Sequence, residues 1–335
     1  MRIGTCDLTK QVMIVAEIGN NHEGSLQRAQ DMIGAAARAG ADAVKFQTIV
    51  PEKLVSADQH DRIDQLRRLC LSYEAFRTLK ETADKEQVVF LSTPFDLESA
   101  RFLNDLVPAF KIASGDLDFF PLLEAVAETG KPVLLSTGLA TYEEISRALA
   151  RIKRVWDVRG LTQEVAVLHC VARYPTPPEQ ANLRCISTLH HFGIVVGYSD
   201  HTVGIDAVPA AVALGARIVE KHFTLDKKQS AFRDHALSAT PDEFAEMVRR
   251  VRAVCLMLGD GRREAQPCEV DARTQIRRSI AARHALRKGH HLDQGDLMWV
   301  RPQRGLKAGE EQLLLGRKLT RDIPAGTLLT LDLVA

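Results

Sequence analysis

The sequence lacks the features that would direct a protein to a membrane, a nucleic acid or an oxidising compartment. Lysine and arginine (44) nearly balance aspartate and glutamate (43), so the formal net charge of +1 excludes a strong field for nucleic acid or anionic lipid. No apolar run approaches the roughly 20 residues of a transmembrane helix. The first residues, MRIGTCDLTKQ, lack the basic and then apolar pattern of a signal peptide. We therefore expect a cytoplasmic protein with neither nucleic acid nor membrane as a partner.

Cysteine is sparse, and its spacing excludes the usual metal and redox motifs. The six cysteines lie far apart, mostly in apolar segments, and no two of them form a CxxC pair. Reduced thiols are the expected state in a cytoplasmic protein. With 45% hydrophobic and 26% charged residues, the chain of 335 residues has room for one large domain plus a small one, or for two medium-sized domains.

Short β-rich segments alternate with amphipathic segments between residue 11 and about residue 260. Ser72, Thr141 and Thr240 are predicted helix N-caps, and Glu144 and Glu243 complete capping boxes. Eight strand–helix repeats over about 250 residues are typical of a (β/α)8 barrel. A doubly wound open sheet is the alternative, but no GxGxxG turn follows the first strand. The eight predicted strands are VMIVAEIG, AVKFQT, VVFLSTPF, AFKIASGDL, PVLLSTG, VAVLHCVARYP, IVVGYSDH and RIVEKHFTLD.

The chain changes character after residue 260. We predict a barrel domain over 1–260, a polar linker over 261–277 and a small domain over 278–335, in which short apolar pieces alternate with turns. A domain of this size is marginally stable alone, so we expect it to dock on the barrel or on a partner subunit.

Two histidines end consecutive predicted strands: His201 in IVVGYSDHT and His222 in RIVEKHFTLD. Because the carboxyl ends of parallel strands meet at one edge of a sheet, we expect the two imidazoles to lie a few ångströms apart. A single histidine there is more often a hydrogen-bonded structural residue, but a pair favours a divalent metal site.

The other predicted strand ends carry polar side chains that need a partner or a ligand. Lysines and hydroxyls that converge on one pocket suit a phosphate or carboxylate, whereas histidines and carboxylates suit a metal and proton transfer. Alternatives remain: Lys45 and Lys111 could pair with Glu17 or Asp116, the hydroxyls could cap helices, or one lysine could be the Schiff-base nucleophile of an aldolase. These side chains are Glu17, Asn21, His22, Lys45, Gln47, Ser92, Thr93, Lys111, Ser114, Asp116, Ser136, Thr137, Tyr174, Ser199 and Glu220.

Eight ordered motifs that span almost the whole chain resemble the sialic acid synthase family, the phosphoenolpyruvate-dependent synthases of nine-carbon sugar acids. The tail RRSIAARHALRKGHHLDQGDLMWVRPQRG resembles the antifreeze-like (SAF) domain of these enzymes. The resemblance implies a TIM barrel followed by a SAF domain. The motifs are AEIGNNHEG, AGADAVKFQT, FLSTPF, KIASGDL, KPVLLSTG, LHCVARYPTP, GYSDHTVG and EKHFTLD, followed by DHALSATPDEF.

The resemblance implies a condensation of phosphoenolpyruvate with the open-chain aldehyde of an N-acetylated hexosamine, with release of phosphate by C–O cleavage. It also implies that His201 and His222 bind Mn²⁺ or Mg²⁺, which polarises the aldehyde oxygen. The implied phosphoenolpyruvate ligands are Lys45, Thr93, Lys111, Ser114, Ser136 and Ser199. The implied sugar ligands are Glu17, Gln47, Tyr174, Asp234 and Arg301. The implied catalytic residues are Glu17, Lys45, Lys111 and Asp116, the last in place of a glutamate proposed to activate water.

The family pattern further implies a homodimer in which each SAF domain reaches the partner's active site. Arg301 would then contact the N-acyl group of the sugar, and Arg304 is a neighbouring candidate for that contact. The alternative is that Arg301 is a surface arginine in a turn with no role in binding.

Three departures from the family pattern fall on the sugar side. Ala172 replaces an asparagine or serine, AFRDH replaces GPDH, and RPQRG replaces RPGxG. The acceptor therefore stays open between N-acetylmannosamine, the diacetamido sugars of legionaminic or pseudaminic acid, and a non-acetylated hexose. A sugar-acid-binding protein without turnover is a further alternative.

Overall fold

A computed structural model describes residues 1–335, which divide into two compact units, Met1–Gly259 and Asp260–Ala335. The first unit is the predicted (β/α)8 barrel. A small antiparallel hairpin, β1 (Arg2–Ile3) and β2 (Cys6–Asp7), precedes eight parallel strands. The barrel strands are β3 (Met13–Gly19), β4 (Ala43–Thr48), β5 (Val89–Pro94), β6 (Phe110–Ile112), β7 (Val133–Ser136), β8 (Val165–Cys170), β9 (Val195–Asp200) and β10 (Ile218–His222).

The strands are hydrogen-bonded in the order β5-β4-β3-β10-β9-β8-β7-β6. The two end strands, β5 and β6, also contact each other, so the sheet nearly closes on itself. The helices of this unit are α1 (Leu26–Arg38), α2 (Pro51–Leu54), α3 (His60–Leu69), α4 (Tyr73–Lys85), α5 (Leu97–Leu103), α6 (Phe120–Ala127), α7 (Tyr142–Arg159), α8 (Cys185–Leu189), α9 (Ala207–Ala213), α10 (Asp234–Leu237) and α11 (Pro241–Leu258).

The predicted helix caps are confirmed. The Ser72 hydroxyl accepts a hydrogen bond from the Ala75 amide at the start of α4. Thr141 and Thr240 form reciprocal capping boxes with residues three positions on, at the starts of α7 and α11. These bonds satisfy amide groups that the first helical turn leaves without a partner.

Side-chain alternation divides the core of the barrel into two layers. Outward-facing residues such as Phe46 and Val196 pack beneath the helices, whereas inward-facing Met13 and Leu91 fill the barrel axis together with Ile3 from the hairpin. Because apolar side chains and the hairpin fill the amino-terminal end of the axis, the open space lies at the carboxyl ends of the strands.

The second unit is built from short elements around its own apolar core. It contains α12 (Val270–Ile276) and the antiparallel strands β11 (Ser279–Ala282) and β12 (Leu297–Val300). Ile280, Leu297 and Leu329 are fully buried in it. The segment predicted as a linker, 261–277, contains α12, whose residues are almost all exposed. No helix of the chain has the length and apolar character needed to cross a membrane.

Candidate active site

A cavity of about 530 Å³ opens at the carboxyl ends of the barrel strands. The barrel residues with a predicted catalytic, substrate or metal role all line it except Asp116. Four polar residues named at the strand ends do not line it: Asn21, His22, Ser92 and Thr137. Its lining includes Glu17, Lys45, Gln47, Thr93, Lys111, Ser114, Ser136, Tyr174, Ser199, His201, His222 and Asp234. The sequence reasoning did not assign a role to four further lining residues, Arg62, Cys170, Glu220 and Arg233.

Two lysines and two glutamates form a buried ionic network on the floor of the cavity. The Lys45 ammonium lies 2.7 Å from Glu17 Oε2 and 3.7 Å from Glu220 Oε1, and the Lys111 ammonium lies 3.8 Å from Glu220 Oε2. The Ser199 hydroxyl donates to Glu220 at 2.8 Å. The alternative pairing of Lys45 with Glu17 is therefore present, while the ion-pair partner of Lys111 is Glu220 and not Asp116.

Burial and neighbouring charges shift the pKa values of the groups in this network. Burial raises the pKa of Glu17, and the attraction of Lys45 only partly offsets that effect. Burial also disfavours the charged form of Glu220, but Lys111, Lys45 and the Ser199 hydroxyl outweigh it and lower the pKa of Glu220. Burial likewise lowers the pKa of Lys111, and the attraction of Glu220 only partly offsets that effect. Burial therefore works against the charged forms of Glu17 and Lys111, whereas Glu220 is favoured as a carboxylate.

Hydroxyl groups surround this floor. The Ser136 hydroxyl is buried without a hydrogen-bond partner, and Thr93 accepts from Lys45 at 3.3 Å. Ser114 accepts from the Gly138 amide at 3.0 Å, and a Cβ at position 138 would lie only 2.9 Å from the Ser114 oxygen. A buried hydroxyl without a partner, in a cavity that two lysines also line, suits an oxyanion ligand.

The two histidines meet as predicted, with ring centroids 5.4 Å apart. His201 Nδ1 lies 2.8 Å from the Val171 carbonyl oxygen, which assigns a proton to Nδ1. Burial disfavours the charged form of His201, but the neighbouring Cys170 and the Val171 carbonyl outweigh it and raise the pKa of His201. His222 Nδ1 is buried without a hydrogen-bond partner. Burial, together with the neighbouring His201, lowers the pKa of His222 well below its ordinary value, so His222 stays neutral.

This donor set fits a divalent metal. Two imidazoles line one cavity, and the buried Nδ1 of the neutral His222 lacks a partner. Imidazole nitrogens are ligands that such ions bind. No third histidine, cysteine or carboxylate completes a metal-binding cluster with them. An ion held here would therefore take its remaining ligands from water or from a substrate.

Aromatic and amide side chains occupy the opposite wall of the cavity. The Tyr174 ring centroid lies 4.0 Å from the His201 ring centroid, and the Arg233 guanidinium lies 4.9 Å from the Tyr174 centroid. Arg233 also donates to Asp234 at 3.1 Å. The strand β8 ends at Cys170, so Tyr174 lies on the following loop and not at the end of the strand as predicted.

The remaining side chains of this wall surround Glu17 or line the cavity from neighbouring elements. Gln47 Nε2 donates to Glu17 at 3.2 Å, while its carbonyl oxygen accepts from Asn20 at 3.0 Å. Arg62 lines the cavity from α3, and Ala172 lines it from the loop after β8. Arg62 lies on a helix and not at a strand end, and it belongs to no motif, so the sequence held no signal that could have identified it.

Two residues with a predicted catalytic or substrate role lie outside this cavity lining. Asp116 belongs to a 3-10 turn, Ser114–Asp116, after β6. Burial and the nearby Asp118 raise the pKa of Asp116 to about 6, and its Oδ2 is buried without a partner. Arg301 belongs to the C-terminal unit, where it lies exposed directly after β12.

The fold and the site define a (β/α)8 barrel with a buried lysine–glutamate network and a histidine pair in one cavity at the carboxyl ends of its strands. The NeuB family matches residues 32–263, and the SAF domain matches residues 277–335. The chain belongs to the NeuB family, and it is an enzyme of the sialic-acid-type synthases.

Relatives whose names give different products have similar sequence identity to this chain. The N,N'-diacetyllegionaminic acid synthase of Campylobacter jejuni is 37% identical over 93% of this chain and 97% of that protein. The human N-acetylneuraminate-9-phosphate synthase is 35% identical over 82% of this chain and 79% of that protein. The crystal structure of a sialic acid synthetase from Leptospira borgpetersenii, in complex with citrate, is 36% identical and matches with a TM-score of 0.74, covering 78% of this chain and 90% of that one.

Proposed function

We propose that the protein condenses phosphoenolpyruvate with the open-chain aldehyde of an N-acetylated hexosamine, in a metal-dependent reaction that yields a nine-carbon sugar acid and phosphate. The observation that carries this proposal is the presence, in one cavity, of two buried lysines with hydroxyls around them and of a pair of histidines. The relatives named as legionaminic acid and N-acetylneuraminate-9-phosphate synthases support it.

The floor of the cavity binds phosphoenolpyruvate in this proposal. Lys45 and Lys111 contribute charge, and hydroxyls contribute hydrogen bonds to the phosphate and carboxylate oxygens. The burial of both lysines supports this role, since a low dielectric strengthens their attraction for an anion. The hydroxyls are those of Thr93, Ser114, Ser136 and Ser199.

His201 and His222 hold the divalent ion, Mn²⁺ or Mg²⁺. When bound, such an ion supplies Lewis-acid polarisation of the aldehyde oxygen. Tyr174, packed against His201, together with Glu17, Gln47 and Asp234 orients the sugar next to the histidine pair.

The bond changes follow from the substrates. Carbon 3 of phosphoenolpyruvate attacks the aldehyde carbon, water adds to the resulting oxocarbenium at carbon 2, and the C–O bond to phosphate then breaks. Asp116, with its raised pKa, accepts the proton of the attacking water in its ionised form.

The C-terminal unit acts in trans in this proposal. The protein forms a homodimer in which one protomer supplies Arg301 to the N-acyl group of the sugar bound by its partner. The exposure of Arg301 and the small core of its unit support this arrangement. A cytoplasmic location agrees with the chemistry, because the substrates are small metabolites.

The test is a panel of N-acetylated, diacetamido and free hexoses assayed for phosphate release with phosphoenolpyruvate and Mn²⁺. We expect release to require the sugar, phosphoenolpyruvate and metal together, to stop on addition of a chelator, and to return with excess Mn²⁺. His201→Ala and His222→Ala should each abolish it. Turnover that persists in chelator, or borohydride trapping of pyruvate on Lys45 or Lys111, would instead indicate Schiff-base chemistry.

A further inference from the structure

A buried ion pair joins the ends of β9 and β10 behind the two histidines. Asp200 directly precedes His201, and Lys221 directly precedes His222. The Lys221 ammonium lies 2.8 Å from Asp200 Oδ2, and the two side chains are 1% and 0% exposed. Successive side chains of a strand point to opposite faces, so the histidines face the cavity and the ion pair faces the helices. Neither Asp200 nor Lys221 lines the cavity.

The pair also fixes the first turn beyond β9. Asp200 Oδ1 accepts hydrogen bonds from the Tyr198 hydroxyl and the Thr202 amide, each at 2.9 Å. The Lys221 ammonium also donates to the Thr202 carbonyl oxygen. Asp200 and Lys221 are direct neighbours in the parallel ladder. These bonds therefore hold together the two strand ends and the backbone on both sides of His201.

Charged side chains are unusual in the layer between the strands and the helices. The preceding outward-facing residues of the same strands, Val196, Tyr198 and Val219, belong to the apolar layer beneath the helices. Apolar side chains of similar volume at positions 200 and 221 would fill that layer with equal or greater stability, because a buried ion pair loses its hydration. An apolar pair would not fix the position of one strand end relative to the other along the strand axis. Hydrogen-bonded charges do so, because their bonds are directional.

We propose that Asp200 and Lys221 are positioning residues that hold the His201 and His222 imidazoles at the separation needed to bind one divalent cation. This inference rests on the metal role in the proposed function. Each histidine is the immediate neighbour of one member of the pair, so a slide of either strand end moves an imidazole directly.

The experiment measures Mn²⁺ affinity of the full-length protein without turnover, by titration with the electron paramagnetic resonance signal of free Mn²⁺ as the readout. The test variant is Asp200→Leu/Lys221→Met, which removes both charges together. We expect its Kd for Mn²⁺ to rise by about 10- to 100-fold, as for loss of an outer-shell partner of a metal ligand. Its melting temperature should stay close to that of the unsubstituted protein, since no charge is left unpaired.

A matched control comes from the opposite side of the barrel. Thr48 and Ser92 form an equally buried outward-facing pair between β4 and β5, with their hydroxyl oxygens 2.8 Å apart. Thr48→Val/Ser92→Ala removes that polar pair without touching β9 or β10. Its Kd for Mn²⁺ should be unchanged.

The outcomes separate this inference from the function on which it rests. If the double variant of Asp200 and Lys221 folds and binds Mn²⁺ as tightly as the unsubstituted protein, the positioning role is wrong. If that variant does not fold, Asp200→Asn/Lys221→Met carries the same test, because the amide oxygen still accepts from Tyr198 and Thr202 and no ammonium is left unpaired. Failure of the unsubstituted protein to bind Mn²⁺ overturns the metal role itself, whatever the variants do.

Discussion

The floor of the cavity and its sugar-side wall are built in different ways. The floor consists of residues on strands, such as Lys45 and Glu220, which are buried and linked by ion pairs. The wall consists largely of loop residues such as Tyr174 and Arg233, and the Arg233 side chain is 67% exposed. Strand residues are fixed by ladder bonds on both sides, whereas loop residues accept substitution more readily. The floor therefore suits the substrate common to the reaction, and the wall suits an acceptor that differs between relatives.

Loss of a floor cation should have the largest effect. Lys111→Met should lower kcat/KM for phosphoenolpyruvate by about 10²- to 10³-fold, because it removes a buried charge aimed at an anion. Lys53→Met is the matched control, since Lys53 lies on α2, is 41% exposed and pairs with Glu98. If Lys111→Met and the unsubstituted protein have the same kcat/KM for phosphoenolpyruvate, the floor does not have the anion-binding role that distinguishes it from the wall.

Asp116, in the turn after β6, tests the proposed proton transfer through pH. Its pKa of about 6 means that the carboxylate form dominates above that pH, so kcat should fall as the pH drops below about 6. Asp116→Asn should lower kcat by about 10²-fold and abolish this acid limb.

Asp118 provides the control for this pH profile. Because its negative charge raises the pKa of Asp116, Asp118→Asn should shift the acid limb of the kcat profile to lower pH while leaving the plateau unchanged. An acid limb that does not move in Asp118→Asn, or that survives in Asp116→Asn, would assign the titration to another group.

A substitution in the sugar-side wall should have a smaller effect on kinetics, and it should affect only the acceptor sugar. Arg233→Ala should raise KM for the acceptor sugar by about tenfold and leave KM for phosphoenolpyruvate unchanged, because Arg233 stacks on Tyr174 and not on the floor. Arg233→Lys should recover only part of this loss, since an ammonium lacks the planar face of the guanidinium. A parallel change in both KM values would show that floor and wall act as one unit.

Local sequence patterns were sufficient to predict most of the fold. The capping boxes of Thr141 and Thr240 depend on residues three positions away, and the apolar runs of the strands depend on an alternation with period two. Both are short-range, so the sequence displays them directly. The end of β8 was misplaced because CVARYP continues the apolar run although the ladder stops at Cys170.

The sequence predicted which residues belong to the candidate site better than it predicted which of them contact each other. The carboxyl-end rule places His201, His222 and Lys45 at one edge, and the three residues line one cavity. The partner of Lys111 was not predictable in this way. Asp116 is nearer along the chain, but Glu220 lies closer across the barrel, on a strand four positions away in the sheet order.

The sequence by itself determined the barrel, its caps and the polar residues at its strand ends, because these follow from periodicity and from neighbours along the chain. Only the tertiary structure decided which charges meet: Lys111 with Glu220, and Lys221 with Asp200 behind the histidines. The physical reason is that these contacts depend on strand register and barrel curvature, which bring together residues that are distant in the sequence.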